Sequence, residues 1–132
     1  MKTYSKEIIV AKDDLDELQH VNNVRYVQWV QDVAKEHWQS AVSKEMQEQV
    51  VWVLLRHHIN YLNPAVLNDR ITAKTYVSHN RGAKCTRIVE IHNTKNDKTL
   101  VRSETEWCLL NAKSLRPIRI SDEIKNIFVK NI

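Results

Sequence analysis

Between two apolar segments, the stretch DLDELQHVNNVRY, residues 14–26, crowds two aspartates, a histidine and two adjacent asparagines together. An aspartate with an ordinary pKa is ionised at neutral pH and serves as a nucleophile or a general base, but it donates no proton without a large upward shift. An asparagine before a helix caps it, because its side-chain oxygen accepts from first-turn amides that have no intrahelical partner. An amide left over at that positive end of the helix dipole stabilises an oxyanion forming on a carbonyl. Asp16, beside a helix starting at Asn22 or Asn23, would thus face a carbonyl whose oxygen is held by main-chain N–H groups. The same residues read more simply as a turn and a cap, and chemistry alone does not decide between the two readings.

The elements that must position this loop come from the flanking patterns. From Asn23 onward, Val24, Val27, Val30, Ala34, Trp38 and Ala41 recur every three or four residues, and Tyr26, Val33 and His37 widen the stripe. That period predicts an amphipathic helix of about four or five turns. Residues 3–11, ending in the β-favouring Ile8, Ile9 and Val10, predict a first strand followed by a polar turn. Beyond a polar stretch at 43–49, residues 50–61, the alternating 71–78, 84–92 and 99–110 predict further strands, paired as an antiparallel meander. Pro117 and Ile118 suit a short extended piece, after which Ser121 caps a terminal helix that includes Phe128. Repeated βα alternation is lacking, so a doubly wound sheet does not fit. The order predicts an α+β architecture, one curved antiparallel sheet wrapped around a long central helix.

Composition narrows the classes of function. A chain of 132 residues, 42% apolar and 27% charged, suits one folded domain spanning 1–132. One glycine, Gly82, and two prolines leave no linker or repeat. No apolar run suits a leader peptide or a membrane span, so the expectation is a cytoplasmic protein without membrane insertion. Cys85 and Cys108 lack CxxC spacing and read as reduced, buried thiols. The formal charge of +4 is scattered among 16 acidic residues without a basic run, which argues against a nucleic-acid partner. No GxSxG, Walker loop, GxGxxG or HExxH is present, and the six histidines lack metal-ligand spacing. His57 and His58, adjacent on a strand, would point to opposite faces.

DLDELQHVNNVRYVQWV, with HHINYLNPAVLND at 57–69, resembles the hotdog-fold thioesterases of the 4-hydroxybenzoyl-CoA thioesterase type, particularly their bacterial long-chain acyl-CoA branch, over roughly residues 5–120. The resemblance implies a hotdog fold and hydrolysis of fatty-acyl or aromatic acyl thioesters of coenzyme A. It implies Asp16 as the catalytic carboxylate, the main-chain N–H of Asn23 as the oxyanion donor, and Asn22 and Tyr26 as substrate-facing members of the motif. His20 either orients water and the carboxylate or ties the loop to itself. Trp29, Val33 and Trp52 are candidates for an apolar acyl slot or for ordinary core, and Arg81 and Lys84, flanking Gly82, for a basic turn near the coenzyme A phosphates or a solvated one. No metal or organic cofactor is implied, and the assembly would be a homodimer or a dimer of dimers with sites at the boundary.

Two departures qualify the match. Plant acyl-carrier-protein thioesterases share a DLDxNQHVNN segment, but their asparagine is Leu18 here, and their Glu-Cys pair falls on Pro64 and Ala65. Another hotdog branch carries a glutamate on the central helix, which points to Glu36, and the intact Asp16 loop argues against it. An acyl-thioester hydratase or dehydratase, or a non-catalytic acyl-CoA binder, are the alternatives on the same fold.

Overall fold

A computed structural model describes residues 2–128. Strand β1 (Thr3–Ile9) leads through a single 3-10 turn at Lys12–Asp14 to helix α1 (Asn23–Ala41) and the short α2 (Lys44–Gln49). Strands β2 (Val50–Tyr61), β3 (Arg70–Arg81), β4 (Lys84–Asn93) and β5 (Thr99–Asn111) follow, and then helix α3 (Asp122–Phe128).

The strands form one antiparallel sheet in the order β1-β3-β4-β5-β2. Only β3, β4 and β5 make the expected meander. Strand β2 pairs with β5, from Val50 opposite Asn111 to Tyr61 opposite Val101, and not with β3. The reason lies in the connection at 62–69, which is too long and irregular for a hairpin loop and includes Pro64 and a left-handed Asn68 (φ 71°). It crosses the end of the sheet and leaves β2 as an edge.

Alternation along the strands sends one set of side chains toward α1. Ile71, Ala73, Thr75 and Val77 of β3 are buried, as are Cys85, Arg87, Val89 and Ile91 of β4. Against them α1 buries Tyr26, Trp29, Val30, Val33, Ala34 and His37. Each large apolar side chain taken out of water this way contributes about 1.5–3 kcal/mol, and these contacts fix the helix axis against the sheet. A second apolar cluster, with Val77, Leu109, Ile124 and Phe128, packs with Trp38, Trp52 and Trp107 near the far half of α1.

Helix α2 lies in the segment that reads only as polar. Its six residues hold one half-buried apolar side chain, Met46, so no periodicity announces it. Tertiary bonds supply the stability that a helix this short lacks alone. Ser43 Oγ accepts from Met46 N at 3.2 Å, and Gln47 Nε2 donates to Val42 O at 2.9 Å and Gln39 O at 3.1 Å, closing the end of α1.

His37 lies under α1 with 4% of its surface exposed. Its ring stacks on Tyr4 and meets the edge of Phe128, while its Nδ1 lies 2.8 Å from Arg87 Nη1. A guanidinium only donates, so His37 Nδ1 is the acceptor of a neutral imidazole. Burial foremost, and then the charge of Arg87, lower the His37 pKa from 6.5 to about 4. The unfolded chain therefore binds more protons than the folded one within that window. The resulting stability is fully present above pH 6.5 and is lost as pH falls toward about 4, at no more than about 1.4 kcal/mol per pH unit. Urea titrations of His37→Gln should show a shallower loss than wild type over this window, and equal slopes would contradict the assignment.

Candidate active site at the start of the long helix

Residues 14–22 fold back on themselves. Asn22 N donates to Asp14 O at 2.8 Å, Asp16 N donates to His20 O at 2.8 Å, and Leu15 and Val21 form an isolated antiparallel bridge. Gln19 closes the tip in the left-handed region (φ 64°), its N–H donating to Asp16 O at 3.0 Å. The neighbouring loop braces this hairpin: Val21 N donates to Ala65 O, and Val10 N to Asp69 O, both at 2.9 Å. Ala65 is fully buried there and Pro64 is exposed, and their hydrocarbon side chains supply neither an acid nor a thiol.

The Asp16 carboxylate is held by one oxygen. Its Oδ1 accepts from Leu18 N at 2.9 Å and His20 N at 3.3 Å, an Asx turn, whereas Oδ2 has no partner among the described residues. Asp14 is the turn residue of the pair, accepting from Ala11 N at 2.8 Å and pairing with Arg25 Nε at 3.0 Å. His20 contributes its main chain to this loop, and its half-buried imidazole makes no hydrogen bond among the described residues.

Asn22 is the cap. Its Oδ1 accepts from Val24 N at 2.9 Å, while its carbonyl accepts from Arg25 N at 2.9 Å and Tyr26 N at 3.4 Å. The Asn23 amide is left over, with no acceptor among the described residues. The Asn23 carbonyl accepts from the Tyr61 hydroxyl at 3.4 Å, tying the first turn to the end of β2. Tyr26 packs beneath, edge-on to Trp29, with its buried hydroxyl unpartnered among the described residues. Burial, and then the charge of Asp69, push that phenol up to about 12, so it stays protonated.

The remaining sequence candidates separate. Trp29 and Val33 belong to the packed core. Trp52 lines a cavity of about 530 Å³ beside the far half of α1, and neither Asp16 nor Asn23 is on its wall. Arg81 and Lys84 face each other at the exposed tip of the β3–β4 hairpin around Gly82, which supplies the left-handed φ of 61°. Because β3 starts beside the Asp16 loop and runs 12 residues, that tip is on the order of 35 Å away. Glu36 is occupied elsewhere, pairing with Lys6 at 2.8 Å and accepting from Tyr4 at 3.4 Å. Cys85 and Cys108 are free and buried. Among the described residues, no helix is long and apolar enough to cross a membrane.

Arg87 and His37 were not among the sequence candidates. The available signal was phase: Arg87 alternates with Cys85, Val89 and Ile91, which puts a guanidinium on the inward face of β4.

The cap makes a direct test of this geometry. Asn22→Ala strips Val24 N of its acceptor and should cost about 1 kcal/mol of stability in denaturant titrations, with Asn22→Asp close to wild type. A silent alanine variant would contradict the cap.

Comparison with known proteins places the fold. Escherichia coli YbaW, a probable thioesterase, superposes with a TM-score of 0.84 at 21% identity, covering 93% of this chain and 94% of that one. Slr0204, a 1,4-dihydroxy-2-naphthoyl-CoA thioesterase from Synechocystis, gives 0.82 at 15% identity over 96% and 95%. The curved sheet around α1 is thus the expected hotdog fold. An uncharacterised Mycobacterium tuberculosis protein is 25% identical over 114 residues, 86% of this chain, and the chain spans 44% of that protein's length. The sequence profile of the acyl-ACP thioesterase N-terminal domain matches residues 1–128, and the chain belongs to that family.

Proposed function

We propose that the protein is a thioesterase, hydrolysing acyl-CoA thioesters to the free acid and coenzyme A. The observation that carries this reading is the pairing of an uncommitted Asp16 oxygen with an uncommitted Asn23 amide in one braced turn. A thioester carbonyl accepting from Asn23 N would have its oxyanion stabilised as it forms, aided by the positive end of α1. Asp16 Oδ2 then either takes a proton from the attacking water or attacks the carbonyl carbon itself, giving an anhydride that water opens. In both courses the tetrahedral intermediate collapses by expelling the thiolate, which is a good leaving group and needs no dedicated acid. His20 is the candidate for orienting the water, and Tyr26 and Asn22 shape the floor and the cap of the site. Neither a metal nor an organic cofactor is required by these steps.

The family match also favours a second substrate class, thioesters of acyl-carrier protein. Pro64 and Ala65, where the plant branch has its Glu-Cys pair, favour the acyl-CoA reading.

A homodimer completes the site. Strand β2 is an open edge whose Val51, Val53 and Leu55 are 39%, 41% and 48% exposed, an arrangement that invites pairing with another strand. Two β2 edges paired antiparallel about a two-fold axis would bring a second copy's basic turn to the sheet end that carries Asp16, where coenzyme A phosphates need it. Free, buried Cys85 and Cys108 suit a reducing, cytoplasmic setting.

Free-thiol release from a panel of acyl-CoA and acyl-carrier-protein thioesters tests the activity. Asp16→Asn, matched to wild type in folding and assembly, should lose about 100-fold or more in kcat. Unchanged turnover would remove Asp16 from the chemistry. Val51→Lys with Val53→Lys should convert the dimer to a monomer in sedimentation and lower turnover, and an intact dimer would exclude the β2 edge.

A further inference from the structure

The cavity beside the far half of α1 has a charged floor. Its apolar lining includes Trp38, Trp52, Trp107, Phe128 and Val77, α1 adds the charged Asp32 and Lys35, and Arg87 lines it from β4 with only 6% of its surface exposed. Arg87 Nη1 is committed, contacting His37 Nδ1 at 2.8 Å and Thr75 Oγ1 at 3.0 Å. Its Nε and Nη2 donors have no acceptor among the described residues, and no carboxylate there is within ion-pair distance of it.

The neighbours do not offset this charge. His37 is neutral, and protonating it would add a like charge. Burial pushes the Cys85 thiol up to about 11, so it supplies no anion at neutral pH. Phe128 offers its ring face, 5.8 Å from the guanidinium carbon, a weaker partner than an anion. Burying a cation without a counter-charge costs far more than burying a neutral side chain of the same size. Thr75 Oγ1 itself donates to Ile88 O at 2.9 Å, so the guanidinium is held in place rather than swinging to solvent.

We propose that this cavity is a binding site for an amphiphilic monocarboxylate, its carboxylate accepting from Arg87 and its apolar body lying against Trp38, Trp52 and Trp107. A cavity of about 530 Å³ accommodates a medium-chain fatty acid or a bicyclic aromatic acid. The planar fork of a guanidinium matches a carboxylate in shape and charge, and the aromatic walls suit a hydrocarbon body. The site is distinct from the Asp16 turn, and its occupation does not depend on hydrolysis.

Three of the four tryptophans line the cavity, so intrinsic fluorescence reports its occupancy directly. Decanoate, decanol and decyltrimethylammonium, each below its micellar concentration and with no thioester present, are titrated into wild type, Arg87→Met and Arg87→Lys. Wild type should bind decanoate at least about tenfold more tightly than decanol, with the ammonium weakest. That preference should vanish in Arg87→Met and survive in part in Arg87→Lys. Equal affinity of wild type for decanoate and decanol overturns the proposal, whether or not either variant folds. A decanoate preference that persists in a folded Arg87→Met does so too. Because nothing is hydrolysed in these titrations, the outcome stands apart from that of the thiol-release assay.

Discussion

Everything in this fold follows from where α1 must lie. Its buried stripe, from Tyr26 to His37, leaves water only by packing along the inner face of the sheet, against Ile71, Ala73, Val89 and Ile91. That burial fixes the axis, and the axis fixes where the first turn emerges: beside the end of β1, the start of β3 and the loop at 62–69. The preceding chain has to reverse there, and the hairpin of residues 14–22 is the reversal. A helix start held by Val21 N on Ala65 O and by Tyr61 on Asn23 O cannot drift relative to Asp16. In the proposed mechanism capping and catalysis are one arrangement, since the cap at Asn22 serves Val24 and leaves Asn23 N without an acceptor among the described residues.

What the sequence displays depends on the range of the interaction that decides it. Helix α1 is legible because its period is local, and of the two cap candidates the structure places Asn22 at the cap and Asn23 at the first helical residue. The inward phase of β3 is legible in the alternation of Ile71, Ala73, Thr75 and Val77. The partner of β2 is not, because pairing Val50–Tyr61 with β5 instead of β3 is a choice between distant segments of similar pattern. Helix α2 is hidden for the same reason, being stabilised by Gln47 reaching back to α1. Within the candidate site, the resemblance of the motif pointed to Asp16 as the carboxylate, but which of its oxygens is pinned depends on the turn's backbone. The distance of Arg81 and Lys84 from Asp16 likewise required the sheet order.

Polar groups inside the fold mark where stability yields to other demands. The Tyr26 hydroxyl, His57 Nε2 and Ser103 Oγ are buried without hydrogen-bond partners among the described residues, each at a cost of about 1–3 kcal/mol if left dry. Ser103 and His57 point to the inner face from adjacent strands, since Thr105 stands opposite His57 and Ser103 opposite Ile59. With Arg87 nearby on β4, opposite Thr105, the inner face of the sheet is more polar than packing alone would favour. The two ends of α1 thus carry different polar groups, an unpartnered amide and a carboxylate at its start and a buried cation beside its far half, among the described residues.

In the proposed mechanism a thioester carbonyl docks on the first turn of α1. A crystal structure of Asp16→Asn with a bound, unhydrolysed acyl-CoA tests it most directly. The carbonyl oxygen should lie about 2.7–3.1 Å from Asn23 N, with the carbonyl carbon facing the substituted side chain. A thioester carbonyl bound away from the Asn23 amide would contradict it.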